Sequence, residues 1–184
     1  MSASPQKIRR ASAGLVVVDL QERLLPAMFE PEGLVQGVTC LAKGASILGL
    51  PILITEQYRK GLGSTVEQVA QLIPGAPFHK MTFSACGAEG FLNALRQKNL
   101  TQAVICGIEA HVCVTQTCLD LLAEGLGIFV AADAVSSRTA QNKQVGLERM
   151  RDAGAVIVST EMILFELLEK AGTEEFSQIL ALVK

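Results

Sequence analysis

Leu15-Val16-Val17-Val18-Asp19 decides the fold: an apolar, β-branched run with no polar break, stopped by a carboxylate. A strand apolar at every position is buried on both faces, which is the habit of parallel rather than antiparallel sheets. Similar runs recur at Pro51–Thr55, Gln102–Gly107, Gly127–Asp133 and Ala155–Ser159, with a weaker one at Pro77–Met81. Between them lie segments of helical spacing, such as Leu34, Val38, Leu41, Ala45 and Leu48, or Val114, Cys118, Leu121, Leu122 and Gly125. A third stripe runs through Val145, Leu147, Met150, Arg151 and Gly154, and Glu161–Ala171 and Glu174–Val183 read as two closing helices. Ser64 with Glu67 has the spacing of a capping box opening another helix. The alternation predicts α/β architecture: a single three-layer, Rossmann-like domain with about six parallel strands and helices on both faces.

Composition bounds what such a domain does. A chain of 184 residues, 49% hydrophobic and 18% charged, has the length of one domain and the makings of a large core. It contains no apolar run of the roughly 18 residues that crossing a membrane requires. Net charge is −2 and aromatics make up 4% with no Trp, so neither a nucleic acid nor an anionic membrane surface is an expected partner. Five cysteines in a chain too large to need stapling predict free thiols and a cytoplasmic location. Residues 1–13, basic and Ser-rich, read as a flexible tail ahead of a domain over 14–184.

Ligands of an open parallel sheet bind beyond the carboxyl ends of its strands, so the residues that follow each run carry the functional information. These are Asp19, then Thr55-Glu56-Gln57, Lys80, Gly107 to Cys113, and Asp133 to Arg138. Cys113 falls at the start of a helix, where unpaired N–H groups and the dipole favour a thiolate. The competing role is a core cysteine, which fits Cys40, Cys106 and Cys118 better; Cys86 is left open. His111, two residues from Cys113, points away from it on a helix, and His79 alternates with Lys80 on a strand. Asp19 and Lys80 are the alternative helpers, against a capping role for the first and a solvated surface position for the second. Lys60-Gly61-Leu62-Gly63-Ser64-Thr65 lacks the ending of a phosphate loop, and no Cys or His spacing fits a metal.

Leu15-Val-Val-Val-Asp-Leu-Gln21, Phe78-His-Lys80 with Thr82-Phe83-Ser84, and Gly107-Ile-Glu-Ala-His-Val-Cys113 stand in the order and spacing of a known family. With Ala132-Asp-Ala-Val-Ser-Ser-Arg138 and Thr160-Glu-Met-Ile-Leu-Phe165, they make the chain resemble the isochorismatase-like cysteine hydrolases over Gly14 to Lys184. The resemblance implies a catalytic triad of Asp19, Lys80 and Cys113. It also implies a non-proline cis peptide before Glu109, which aims the backbone N–H groups of Glu109 and Cys113 at a substrate oxyanion. Gln21 matches a position that orients the site. Leu25, Phe29, Tyr58, Phe83 and Glu109 are expected, with Gln21, to bind the substrate.

Two departures narrow the group. The metal-binding histidines of nicotinamidases are missing, since Thr55-Glu-Gln-Tyr-Arg59 holds none, so no metal and no other cofactor is expected. Isochorismatases proper lack the nucleophilic cysteine. What remains is the branch of unassigned substrate, implying hydrolysis of a small amide or related C–N bond through a thioester. A non-catalytic interaction module and a thiol redox sensor are the alternatives on the same fold. Apolar C-terminal helices and the family's habit of association predict a homo-oligomer, at least a dimer.

Overall fold

The computed structural model describes residues 7–184. Six parallel strands form one sheet in the order β3-β2-β1-β4-β5-β6. They are β1 (Ala13–Val18), β2 (Ile52–Gln57), β3 (Phe78–Lys80), β4 (Gln102–Ile108), β5 (Gly127–Ser136) and β6 (Val156–Val158). The helices are α1 (Pro31–Ile47), the single turns α2 (Arg59–Leu62) and α3 (Glu67–Ala70), α4 (Phe91–Gln97), α5 (Thr115–Ala123), α6 (Ala140–Asp152), α7 (Thr160–Leu168) and α8 (Glu174–Val183). The order reverses between β1 and β4, which leaves a crevice at their carboxyl ends.

Period-two alternation divides the interior into two cores. Leu15 and Val17 of β1 pack with Leu41, Leu164 and Ile179 under α1, α7 and α8. Val16 and Val18 face the other way, with Phe91, Leu121 and Met150 under α4, α5 and α6. Every residue of β1 is buried, as its uninterrupted apolar run requires. Thr139, Ser159 and Thr173 cap α6, α7 and α8 by accepting from the backbone N–H three residues on.

Three expectations need correction. The tail is shorter than residues 1–13: Ile8 is buried in the core, its N–H donates to Glu166, and Arg10 forms an ion pair with Glu175 at 2.8 Å. Residues 1–6 of that tail lie outside the described part. No capping box forms at Ser64, because the turn of α3 opens at Val66 without a side-chain cap, and Ser64 accepts from Arg59 instead. The C-terminal helices, expected to leave apolar surface over, spend only part of it internally: Ile163, Leu164, Leu167, Leu168 and Ile179 are buried, whereas Phe165, Phe176, Leu180 and Leu182 are half-buried.

Candidate active site

Asp19 leaves β1 with φ of 49°, a left-handed conformation that Asp tolerates better than most residues. This bend turns its carboxylate into the crevice, where it is wholly buried. Oδ1 accepts from Thr55 Oγ1 at 2.7 Å, and Oδ2 from Lys80 Nζ at 2.6 Å. Lys80 closes β3, in register with Gln57 of β2. Its Nζ also lies 2.7 Å from Gln57 Oε1 and 2.8 Å from the Phe83 carbonyl. Thr55 and Gln57, two residues apart, therefore share the face of β2 that looks at Lys80, and the surface-lysine role is excluded for Lys80.

The other wall comes from β4. Gly107 has φ of +111°, and a Cβ there would stand 2.1 Å from the Val18 carbonyl oxygen. Only glycine lets β4 close on β1 at this height. The Ile108–Glu109 peptide that follows is cis, as the resemblance implied. Ala110–Val114 then forms a π-helical turn, and α5 begins after it at Thr115. Cys113 thus sits in a widened turn ahead of α5 rather than in its first turn, 7% exposed. Thr115 Oγ1 donates to the Ala110 carbonyl at 2.6 Å and fixes the turn to the helix.

The electrostatics also differ from the expectation of a ready thiolate. Burial pushes the Cys113 thiol up to about 12, and the charge of Asp19 adds to the rise. Lys80 and a hydrogen bond from the Glu109 backbone oppose it without reversing it. Asp19 is itself raised by burial, against the pull of Lys80, Thr55 and Cys113. Desolvation outweighs the helix end here. Burial thus makes the thiol harder to ionise and the neighbouring carboxylate more basic.

Of the expected substrate-binding residues, Gln21 has its amide occupied by the protein's own backbone, in keeping with a role in orienting the site. It is fully buried, and its amide is committed to backbone: Nε2 donates to the Gln57 and Gly63 carbonyls at 3.0 and 2.7 Å, and Oε1 accepts from Gln57 N–H at 2.8 Å. It splices the ends of β1 and β2. Leu25 packs half-buried against the core beneath α1. Phe29, Tyr58 and Phe83 present exposed rings. The Glu109 carboxylate is turned to Arg138, 2.8 Å away, and so faces the loop after β5. His111 bonds Ser137 rather than the thiol. Among the described residues no group of three or more His, Cys, Asp or Glu converges as metal ligands.

Sequence reasoning missed Gly146 of α6. A Cβ there would lie 2.9 Å from the carbonyl carbon and oxygen of Ala110, so α6 rests directly on the cysteine turn. It also missed Thr117, whose Oγ1 accepts from Ala85 N–H and ties α5 to the loop after Phe83. Neither carries a sequence signal, because each role is a contact between distant segments.

Residues 13–162 match the isochorismatase domain. A secreted isochorismatase effector, Isc1, from Phytophthora sojae is 39% identical over 94% of this chain and 85% of its own. Among solved structures, MAR1 ribonuclease from Caenorhabditis elegans superposes with a TM-score of 0.91 at 32% identity, covering 97% of this chain and 92% of that one. YcaC from Pseudomonas aeruginosa, with hexane-2,5-diol and covalent acrylamide, gives 0.91 at 27% identity over 98% and 93%. The chain belongs to the isochorismatase family, a family of hydrolases.

Proposed function

We propose that this hydrolase cleaves a small amide or related C–N bond by cysteine catalysis. The observation that carries the reading is the wholly buried Lys80–Asp19 pair next to the Cys113 thiol. Asp19 takes the Sγ proton as Sγ bonds to the substrate carbonyl carbon. The backbone N–H groups of Glu109 and Cys113 hold the oxyanion. Collapse breaks the C–N bond; Asp19 returns the proton to the departing amine, leaving a thioester on Sγ. Water then attacks that thioester, giving its proton to Asp19, and the acid product leaves as Sγ regains a proton. Lys80 does not move a proton in this scheme. It fixes the carboxylate and balances its charge.

The covalent acrylamide in the Pseudomonas relative supports a nucleophile on this fold, since thiols add readily to such electrophiles. A redox sensor needs a thiol open to solvent oxidants, and Cys113 is only 7% exposed, beside a carboxylate placed to take its proton. The worm relative is called a ribonuclease; the −2 charge of this chain favours small neutral or weakly charged substrates over RNA. Neither a nucleic acid nor a membrane partner belongs to the reading, and no described helix is long and apolar enough to cross a bilayer. Its free thiols fit the cytoplasm. The test is a screen of small amides for ammonia release, with RNA as a further substrate and Cys113→Ala in parallel. Ammonia release lost in Cys113→Ala supports the reading, and RNA cleavage indifferent to Cys113→Ala refutes it.

A further inference from the structure

Glu56 lies between Thr55 and Gln57 on β2 and therefore projects from the opposite face of the sheet, away from Lys80. There it pairs across the ladder with His79 of β3. The residue is 2% exposed. Its Oε1 accepts from the Thr65 backbone N–H at 2.8 Å and from Thr65 Oγ1 at 3.0 Å. Oε2 is buried with no hydrogen-bond partner. Arg59 Nε and His79 Nδ1 approach it only to 3.5 and 3.4 Å, from side chains that are more than half exposed. A buried carboxylate oxygen without a donor is costly, and native structures rarely keep one without a use.

This carboxylate lines a cleft of about 200 Å³. Ile54, Ala70, Ile73 and Pro77 make its apolar walls, and Arg59 and Ser64 stand at the rim. A negative floor under apolar walls rejects anions and gives a neutral molecule little to offset the desolvation of its polar end. A hard metal ion needs six or more oxygens, and the described residues offer no cluster of three ligating side chains. An alkylammonium satisfies both halves of the site: its N–H donates a charge-assisted hydrogen bond, and its chain meets the walls.

We propose that this cleft binds the ammonium end of a small primary amine, with Glu56 Oε2 as the acceptor, on the face of the sheet opposite Cys113. Arg59, the nearby resident cation, competes for the same oxygen and weakens the ligand.

The test uses the full chain with methyl-labelled isoleucine, titrated with n-butylammonium, with n-butanol as a neutral analogue and tetramethylammonium as a cation lacking N–H. Saturable shifts of the Ile54 and Ile73 methyls are expected with n-butylammonium alone. Glu56→Gln keeps an acceptor for Thr65 and should weaken binding about tenfold or more. Arg59→Ala should tighten it. Should Glu56→Gln fail to fold, Ala70→Leu narrows the cleft with the carboxylate intact and should also abolish the shifts. Equal responses to butanol and butylammonium, or unchanged affinity in the folded Glu56→Gln or Ala70→Leu protein, would overturn the assignment. The readout does not involve amide turnover, so it stands or falls apart from the cysteine chemistry.

Discussion

Lys80 Nζ lies 2.6 Å from Asp19 Oδ2, and neither side chain has any solvent exposure. The two residues are 61 positions apart on strands that are not neighbours, since β2 runs between β1 and β3. Lys80 must reach across β2, and it does so over Gln57, whose side-chain oxygen it also meets. Removing one member of a buried pair strands the other charge, at a cost of about 3–5 kcal/mol. Lys80→Ala should therefore lose stability on that scale in urea denaturation, as well as turnover. Cys113→Ala should lose turnover with a much smaller change. A Lys80→Ala protein as stable as wild type would mean that the pair is not formed in solution.

Asp19→Asn separates the two effects of the carboxylate on the thiol. Its charge helps to raise the Cys113 thiol to about 12, while Lys80 pulls the other way. An amide carries no charge, so the variant keeps the lowering influence and loses a raising one; the thiol pKa must fall. The pH midpoint for Cys113 alkylation by iodoacetamide should drop below that of wild type. Amide turnover should nevertheless fall by about 10²-fold or more, because the leaving amine has lost its proton donor. Cys86, outside the site, is a control whose profile should not move. An unchanged or higher midpoint for Cys113 sinks this electrostatic picture.

Gly146→Ala should damage catalysis from a distance. Its Cβ must displace the backbone of Ala110 and His111, which begins the turn carrying Cys113. A shift of about 1 Å in a reacting group costs on the order of 10²-fold in rate. Gly33→Ala, at an α1 position with nothing within 4 Å, is the matched control and should stabilise by about 0.4–1 kcal/mol. Equal activity in the two variants would show that α6 does not position the turn.

These contrasts mark what the chain order reveals. The apolar run ending at Asp19 carries the strand, its double burial and the place of the crevice, because all three follow from local periodicity and sheet topology. Lys80 and Cys113 were legible as residues at strand and helix ends and through family resemblance. Three things were not legible: the widening of the Cys113 turn, the commitment of Gln21 to backbone, and the contact of Gly146 with Ala110. Each depends on how segments far apart in sequence meet, and no periodicity records that. The balance at the Cys113 thiol is hidden for a related reason, since the helix end is visible in the sequence and the burial that pushes the thiol up is not.

Activity should withstand removal of metals. No His lies between Asp19 and Leu72, and Glu56, the acidic residue near the end of β2, spends one oxygen on Thr65 and faces away from Lys80. Prolonged dialysis against EDTA should leave the rate of amide hydrolysis unchanged. Loss on dialysis with recovery on adding zinc or manganese would refute this expectation.

Self-association should use a different surface from the C-terminal helices that their composition singled out. Phe165 and Phe176 pack edge to face, 6.4 Å between centroids, and their neighbours fill the core beneath α1. Exposed apolar side chains gather instead after β2 and β3, where Tyr58, Met81 and Phe83 are 48%, 72% and 53% exposed. The Tyr58 N–H donates to the Lys80 carbonyl, which holds the two loops side by side. Apolar surface that the fold leaves uncovered near a site is where a second copy of the chain gains most by docking. Light scattering at micromolar concentration should give at least twice the 19.6 kDa of one chain. Met81→Glu should shift the mass toward the monomer without loss of helical content. Phe165→Glu should lower thermal stability and leave the association intact in whatever fraction stays folded. A monomeric wild type refutes association, and dissociation by Phe165→Glu but not by Met81→Glu returns the interface to the C-terminal helices.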